Sequence, residues 1–268
     1  MRLLVFAILM TLVHGAQAET PPLPRPKPEI KAMVAIAPLP RAKPSLTEET
    51  EAAALPGTGD ILEKLQESKD AGQWPKAELV RAREECASLL SGLDIIWRPD
   101  TPIGAEGGCG TPMPIAVAEI AGVRISPVAT MNCPMAAALH RWLSDTLKPA
   151  ARKNMGARLT EITNASSYAC RRRNNAKTGK LSEHAKANAF DVSEFRFDKG
   201  GKINVKGDYL GLLQSVGLSG RGNFLRAARA GACAEFNTVL GPGSDAFHKD
   251  HFHVDLMPLR PGRHKLCR

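Results

Sequence analysis

The sequence predicts an α+β fold in which helices flank a small antiparallel sheet and disulfide bonds brace the whole. One helix begins at Pro134, because proline is favoured at the first helical position and an apolar stripe follows it as far as Leu147. A strand runs from Phe190 to Phe197, where successive side chains alternate between two faces. Six widely spaced cysteines are available for the bracing bonds. Helices before and after the strands indicate the α+β class.

Residues 1–18 have the pattern of a secretory signal peptide. Arg2 precedes an apolar run over 3–13, and the small-residue pattern Ala-Gln-Ala ends just before Glu19. The apolar run is too short to span a bilayer as a helix. An uncleaved N-terminal anchor is the alternative. The sequence therefore predicts an exported protein, most simply a periplasmic one associated with the cell envelope.

Residues 19–59 interleave proline with lysine and arginine. Such a segment cannot form a packed core, so we expect an extended, disordered linker. The folded domain is predicted over 60–268. No stretch after the signal peptide has the length and apolar character of a transmembrane helix, so the mature protein is expected to have no membrane span.

Within the domain, apolar spacing and breaker residues place the elements in order. Helices are expected at 60–75, 76–91, from Pro134, and at 222–230, the last with Phe224, Leu225 and Ala228 facing inward. Strands are expected at 94–97, 114–120, 158–162, 190–197 and around Val254 and Leu256. The glycine-rich loop around Cys109 lacks the lysine and the Ser or Thr of a P-loop, so it is not a phosphate cradle.

The formal net charge of +9 indicates attraction to anionic polymers. For an exported protein these are the anionic surfaces of the cell envelope. The basic residues are scattered and aromatic residues make up only 5% of the chain, so no stacking platform for single-stranded nucleic acid is evident. We therefore expect no nucleic-acid partner, and simple solvation of the scattered charge is the alternative to envelope contact.

Three side chains in the second half of the chain are suited to bind one metal ion. His184 and Asp191 lie in the stretch SEHAKANAFD, and His253 follows in the stretch HFH. Zinc takes imidazole nitrogen and carboxylate oxygen, and a catalytic zinc site uses three protein ligands and leaves one position to water. These ligand types make Zn²⁺ the expected cofactor. If His251 and His253 lie on one strand they share a face, so that His251 would face the reacting water.

The cysteines form no CxxC or CxH pair of the kind that holds a structural zinc ion. In an exported protein they predict three disulfide bonds, with free buried thiols as the alternative. Cys86 and Cys109 are the most local pair, which favours a bond between them. A second bond is expected between Cys170 and Cys233, as a brace near the candidate metal site.

The metal motif resembles that of a known superfamily. Ser182-x-His184 followed by Ala189-x-Asp191 is similar to the SxHxxGxAxD motif of the zinc D-alanyl-D-alanine peptidases, which share a superfamily with lysostaphin and hedgehog. Ala187 stands where that motif usually has glycine, a departure that concerns the local backbone turn. The HxH arrangement is more similar to the lysostaphin and murein endopeptidase branches than to the ExxH of many D-Ala-D-Ala enzymes. Ser182 is expected to brace the loop or to contact substrate.

The wider pattern resembles the bacterial extensin-like C-terminal domain family. The matching stretches are SSYACRRRNN at 166–175, SEHAKANAFDVSEF at 182–195 and VLGPGSDAFHKDHFHVDL at 239–256. Together these resemblances imply a fold like that of the D-Ala-D-Ala metallopeptidases and hedgehog. They also imply an exported zinc metallopeptidase that cuts D-amino acid amide bonds in peptidoglycan stem peptides.

The HxH arrangement favours an endopeptidase that opens cross-links over a D,D-carboxypeptidase. His251 is the first candidate for the general base, and Asp250, at the position of the ExxH glutamate, is the second. Arg171 resembles the arginine after Ser-x-Tyr in the D-Ala-D-Ala enzymes, although Cys170 interrupts that spacing here, and it could hold a substrate carboxylate or the developing oxyanion. Arg172 and Arg173 are expected to be solvated. Asp255 could orient a ligand imidazole, with a salt bridge as the alternative. His248 is expected at the rim of the site or on the surface.

A non-catalytic domain that binds the cell wall is the alternative function. In that case the zinc would be structural or absent. Hedgehog, in the same superfamily, shows that the fold need not imply activity. The intact trio of ligands and the available histidine favour the enzyme.

Overall fold

A computed structural model describes residues 74–209, 219–262 and 264–268. The predicted signal peptide, the predicted linker and nearly all of the helix predicted at 60–75 lie outside the described residues. Because the described residues begin at Trp74, the predicted N-terminal bound of the folded domain, residue 60, stays a prediction. No helix in the described part of the chain is long and apolar enough to cross a membrane.

The domain is built on a large sheet and a separate hairpin. The strands are β1 (Ile95–Pro99), β2 (Ile103–Ala105), β3 (Cys109–Thr111), β4 (Pro114–Ile120), β5 (Val123–Asn132), β6 (Leu159–Ser166), β7 (Ala189–Phe197), β8 (Lys202–Asn204), β9 (Thr238–Leu240), β10 (Phe252–Asp255) and β11 (Leu266–Cys267). β2 and β3 form the hairpin. The other nine pair in the order β1, β4, β5, β6, β7, β10, β9, β11, with β8 beside β7.

The helices are interspersed with these strands along the chain. They are α1 (Lys76–Leu90), α2 (Cys133–Arg141), α3 (Lys148–Met155), α4 (Val205–Asp208) and α5 (Gly220–Glu235). A π-helical segment, Trp142–Leu147, joins α2 to α3 without a break in the helical backbone. Mixed α and β content around a sheet core agrees with the predicted class at this coarse level.

The sheet differs from the predicted small antiparallel one in size and in direction. Most neighbouring strands are antiparallel, but β5 and β6 are parallel, as are β9 and β11. The helical segment from Cys133 to Met155 connects β5 to β6, and a crossover of this length returns the chain to a neighbouring strand in the same direction. β5 itself was not predicted, because Pro127 interrupts its pattern.

The predicted helix from Pro134 is the centre of the core. Its stripe is fully buried, comprising Met135, Ala138, Leu139, Trp142, Leu143 and Leu147. The indole N–H of Trp142 donates to the Ala228 carbonyl oxygen (2.9 Å) in α5, and its ring meets Phe236 edge-on at 5.7 Å. The α2–α3 segment and α5 are thereby packed against each other.

The inward face of α5 is also as predicted. Phe224, Leu225 and Ala228 are buried. The Phe224 ring packs edge-on against Phe195 and Phe197 of β7, at centroid distances of 5.1 and 5.2 Å. Helix α5 therefore covers one face of the strand that carries Asp191.

Three disulfide bonds brace the domain, and all six cysteines are paired. The pairs are Cys86–Cys133, Cys109–Cys170 and Cys233–Cys267, so the expected Cys86–Cys109 and Cys170–Cys233 bonds are wrong. A disulfide forms only where two Cα atoms approach to about 4.4–6.8 Å, which tertiary packing decides. The observed Cα separations are 5.2, 5.6 and 5.9 Å.

Candidate metal centre

Two neighbouring strands bring Asp191 and His253 together. β7 and β10 are antiparallel, and their register places Asp191 directly opposite His253. His184 reaches the same point from the 3-10 turn Glu183–Lys186, which closely precedes β7. All three residues are buried, and one ligand atom from each lies within 4.8 Å of the other two. The structure thus brings together the three residues predicted as metal ligands.

Local hydrogen bonds define the turn that carries His184. Ser182 caps the turn, since its Oγ accepts from the His184 backbone N–H (3.4 Å). The turn ends at Ala187, which is left-handed (φ 53°, ψ 27°) and whose N–H donates to the His184 carbonyl oxygen (3.1 Å). This is the position at which the resembling motif usually has glycine, the residue that adopts such a conformation without strain. The departure at Ala187 changes the residue and keeps a left-handed turn.

Hydrogen bonds on the far side of each imidazole determine its neutral tautomer. His184 Nδ1 lies 2.5 Å from the Ser167 carbonyl oxygen, which can only accept, so Nδ1 carries the proton. His253 Nε2 lies 3.0 Å from Asp255 Oδ2 and donates to that carboxylate. The lone pairs of His184 Nε2 and of neutral His253 Nδ1 therefore point into the site. Asp255 orients His253, the role that the sequence offered for it.

The spacing of the three ligand atoms suits a tetrahedral zinc ion. His184 Nε2 lies 3.2 Å from both Asp191 Oδ1 and His253 Nδ1, and the last two atoms are 2.8 Å apart. Ligand atoms bound at about 2.0–2.1 Å to tetrahedral zinc are about 3.3 Å from one another. Two lone pairs facing each other at this distance also require a cation or a proton between them. The donor set and the spacing both fit zinc.

The pKa values of the metal-free site also indicate that a proton or a cation lies between the facing nitrogen atoms. Burial raises the pKa of Asp191, but the contacts of its carboxylate with the His184 and His253 imidazoles outweigh this effect and hold that pKa well below its ordinary value. Burial lowers the pKa of His253, yet hydrogen bonds to Asp191 and Asp255 raise it to about 9. In the metal-free protein a proton therefore occupies His253 Nδ1 at neutral pH. A metal ion and this proton compete for the same nitrogen.

His251 lies directly before β10 and not on it, so strand alternation is not what places its ring. The side chain is 18% exposed, and its Nε2 lies 3.8 Å from Asp191 Oδ2. Its Nδ1 is hydrogen-bonded to Asp250 Oδ1 (2.9 Å), and the Asp250 side chain is 58% exposed. Asp250 therefore reaches the site through His251, and it leaves His251 Nε2 available to a water molecule.

His248 is buried and lines the cavity, so the prediction of a rim or surface position is wrong. Its side chain is 11% exposed, and its ring lies 5.2 and 5.5 Å from the rings of His251 and His253. Asp245 Oδ1 accepts hydrogen bonds from His248 Nδ1 (2.7 Å) and from the backbone N–H groups of Phe247 and His248. The signal in the sequence is an aspartate three residues before a histidine, an Asx turn that folds the loop inward.

An open cavity of about 350 Å³ lies over these residues. Arg171 lines it with 28% of its side chain exposed, and its Nη2 is 3.9 Å from Asp191 Oδ2. Arg172 and Arg173 are exposed, as predicted, although Arg173 also donates to Met257 Sδ on the cavity wall (2.9 Å). The volume of the cavity is in the range of small-molecule sites, and the cavity opens onto the three candidate ligands.

A family model described as extensin-like protein C-terminus matches residues 84–268. The match covers well over half of the chain. The chain belongs to this family. No curated protein and no solved structure gives a significant match. Every candidate site residue of this extensin-like domain, and each of its six cysteines, lies within the matched range.

Each of the three stretches that resemble the extensin-like family supplies part of the site. The stretch at 166–175 contributes Arg171 and the carbonyl group that holds His184. The stretch at 182–195 contributes the capped turn and Asp191, and the stretch at 239–256 contributes the loop histidines and β10. The three stretches that resemble the family therefore meet at one cavity.

Proposed function

We propose that this extensin-like domain is an exported zinc metallopeptidase that hydrolyses D-amino acid amide bonds in peptidoglycan stem peptides. The observation that carries the proposal is the convergence of His184 Nε2, Asp191 Oδ1 and His253 Nδ1 beneath an open cavity. Two imidazoles and one carboxylate are a ligand set that catalytic zinc sites use. The same motif supports a fold related to that of the zinc D-Ala-D-Ala peptidases, lysostaphin and hedgehog.

A bound zinc ion would acidify a water molecule and polarise the scissile carbonyl group. The chain itself supplies the proton transfer. His251 Nε2 faces the site while Asp250 holds Nδ1, so His251 acts as the general base that takes the proton of the water. It then returns the proton to the leaving amine. Asp250 orients the ring and stabilises the imidazolium that forms, which makes it a positioning residue.

Arg171 stabilises negative charge on the substrate. Its guanidinium has five N–H groups, and one of its nitrogens is already directed toward Asp191. The remaining N–H groups can donate to a substrate carboxylate or to the oxyanion that develops on the scissile carbonyl. We assign the endopeptidase reaction, the opening of cross-links, because the HxH arrangement at His251 and His253 resembles that of the cross-link cleavers.

Export to the periplasm agrees with the chemistry of the chain. Three disulfide bonds form and persist in oxidising compartments. The signal-peptide pattern at 1–18 would direct the chain there. The net positive charge would favour contact with anionic envelope surfaces.

The decisive experiment is digestion of cross-linked peptidoglycan by the chain from Glu19 onward, with its disulfides intact. The released fragments are identified by mass spectrometry, beside a His253→Ala variant and a chelator-treated sample. His140→Ala is the matched control, because His140 is a half-buried histidine on α2 outside the site. We expect cross-linked dimers to become monomers with the wild type and the control only.

Other product patterns lead to other conclusions. Release of terminal D-alanine alone would identify a D,D-carboxypeptidase. Absence of hydrolysis with one zinc ion bound per chain would contradict the proposal that the domain is a peptidase acting on this substrate. Co-sedimentation with insoluble peptidoglycan in that case would favour a cell-wall-binding domain.

A further inference from the structure

A second concave surface lies far from the metal centre. It is a cavity of about 260 Å³ between the turn that joins β4 to β5, helix α3 and the start of β6. β6 is eight residues long, and Ser167, which contacts His184, lies just beyond its other end. At the rise of an extended strand this separates the two sites by about 25 Å. The second cavity therefore shares no residue with the metal centre.

Among the residues that the structure describes, three cations and no carboxylate line this cavity. They are Lys148, Arg152 and Arg158. Lys148 and Arg152 are four residues apart on α3, so they lie on the same helix face and repel each other. Arg158 pairs with Asp198 outside the cavity, between Nε and Oδ2 at 2.9 Å. Three positive charges and one negative charge leave the cluster at +2.

Two of the three cations are held in place by hydrogen bonds. Lys148 Nζ donates to the Ala121 carbonyl oxygen (2.8 Å) in the β4–β5 turn. Arg158 donates to Asp198 from its backbone N–H (2.8 Å) and from Nε (2.9 Å), so its Nη groups take no part in that pair. The cluster is therefore partly organised before any ligand arrives, which reduces the entropy cost of binding one.

Neighbouring cations on the sheet are matched to acids, in contrast to Lys148 and Arg152 of this cluster. Arg124 and Arg196 both pair with Glu161, and Lys202 pairs with Glu194. Among the described residues, no ion pair joins Lys148 or Arg152 to a carboxylate. Positive charge that converges on a concave surface without acids to balance it is the arrangement of an anion site.

We propose that this cavity binds a phosphate group, carried by a soluble phosphate or by the headgroup of an anionic lipid. Guanidinium groups match the oxygens of a phosphate in pairs, and the lysine ammonium adds a third charge. A bound phosphate replaces the repulsion between Lys148 and Arg152 with charge-assisted hydrogen bonds. When the phosphate belongs to a membrane lipid, the metal centre at the opposite end of β6 lies about 25 Å from the bound headgroup. The proposal does not rest on the activity of the metal centre.

The test uses the chain from Glu19 onward with its disulfides intact. Binding of inorganic phosphate is followed by calorimetry. Binding to vesicles of phosphatidylglycerol and phosphatidylcholine is compared with binding to phosphatidylcholine alone. The variant is Lys148→Gln with Arg152→Gln, which we expect to weaken binding by about tenfold or more, since it removes two charged hydrogen-bond partners. Lys76→Gln with Arg81→Gln on α1 removes the same charge elsewhere and is the control.

The outcomes separate the sources of the phosphate. Inorganic phosphate binding that only the Lys148/Arg152 variant weakens supports the cavity as a site for soluble phosphate. Vesicle binding that only this variant loses, without binding of free phosphate, supports the cavity as a lipid headgroup site. Equal losses in both double variants, or binding of neither probe by the wild type, would overturn the proposal. The thermal midpoint of each variant checks that it is folded. If the double variant unfolds, the single variant Arg152→Gln replaces it in the binding test, because Arg152 is exposed.

Discussion

At the residue scale, Asp255 determines which nitrogen of His253 can bind a metal. Its carboxylate accepts from Nε2, which leaves Nδ1 to the metal. We expect Asp255→Ala to weaken zinc affinity by about 10–100-fold, because the ring loses its orientation and some basicity. Asp250→Ala is the matched control, since Asp250 contacts His251 and no ligand. Competition with a chromophoric chelator measures both affinities, and an equal loss in the two variants would contradict this role for Asp255.

The pH dependence of zinc binding follows from the raised pKa of His253. Zinc requires the neutral imidazole, and His253 is protonated below about pH 9 in the metal-free protein. We therefore expect binding near pH 7 to release about one proton, and apparent affinity to rise up to about tenfold per pH unit as the pH increases toward 9. Calorimetry in buffers of different ionisation enthalpy counts the released proton. Affinity that is independent of pH between 7 and 9 would contradict the proton at Nδ1.

The same raised pKa makes the metal-free protein less stable as the pH rises, whereas zinc affinity increases over the same range. The pKa of His253 is raised from 6.5 to about 9, so the folded state holds its proton more tightly than the unfolded state does. This contribution is complete below pH 6.5 and is lost as the pH rises through 9. Chelated protein should therefore become easier to unfold by urea between these values. His253→Gln should lack this dependence.

At the scale of one element, Ala187 tests how the turn before β7 tolerates a side chain. In Ala187→Gly, relief of the left-handed conformation gains about 1–2 kcal/mol. Added backbone entropy in the unfolded chain costs about 0.5–1 kcal/mol, and the lost buried methyl costs about 0.8 kcal/mol. These terms nearly cancel, so we expect a change within about 1 kcal/mol.

Ala187→Val provides the contrast at the same position. Ala187 is fully buried, and a β-branched residue with positive φ is strongly disfavoured. We expect a loss of about 2 kcal/mol or more, from backbone strain and overpacking. Urea midpoints of both variants measure the difference. A valine variant as stable as the glycine variant would show that the turn rearranges freely.

Elements with a strong local pattern could be predicted from the sequence. The buried stripe after Pro134, the inward face of α5 and the strand that contains Asp191 are all confirmed. β9, with three residues, is too short to show a pattern. The parallel pairing of β5 with β6 depends on where the connecting helix packs, which residue spacing does not contain. His248 was misplaced because its burial arises from the Asp245 turn and from two histidine rings across the site.

At the scale of the whole molecule, the disulfides show why local distance along the chain is a poor guide. Cys86 bonds to Cys133 because α1 contacts the beginning of α2, although 47 residues separate the two cysteines. Cys109 bonds to Cys170 across 61 residues and ties the β2–β3 hairpin to the segment that carries Arg171. The convergence of His184, Asp191 and His253 was easier to predict than these pairs, since a ligand motif has a chemical signature and a cysteine pair has none beyond its geometry.

Zinc should stabilise the molecule as a whole, because its three ligands come from a turn and two strands of one sheet. At a free zinc concentration about 100 times the Kd, binding to the folded state adds about 2.7 kcal/mol. For a domain of this size that corresponds to a rise in Tm of about 5–10 °C, which a chelator should reverse. Asp191→Ala removes a ligand and should abolish the rise, whereas Arg152→Gln, at the other end of β6, should retain it. The same rise in Asp191→Ala would place the zinc elsewhere in the histidine cluster.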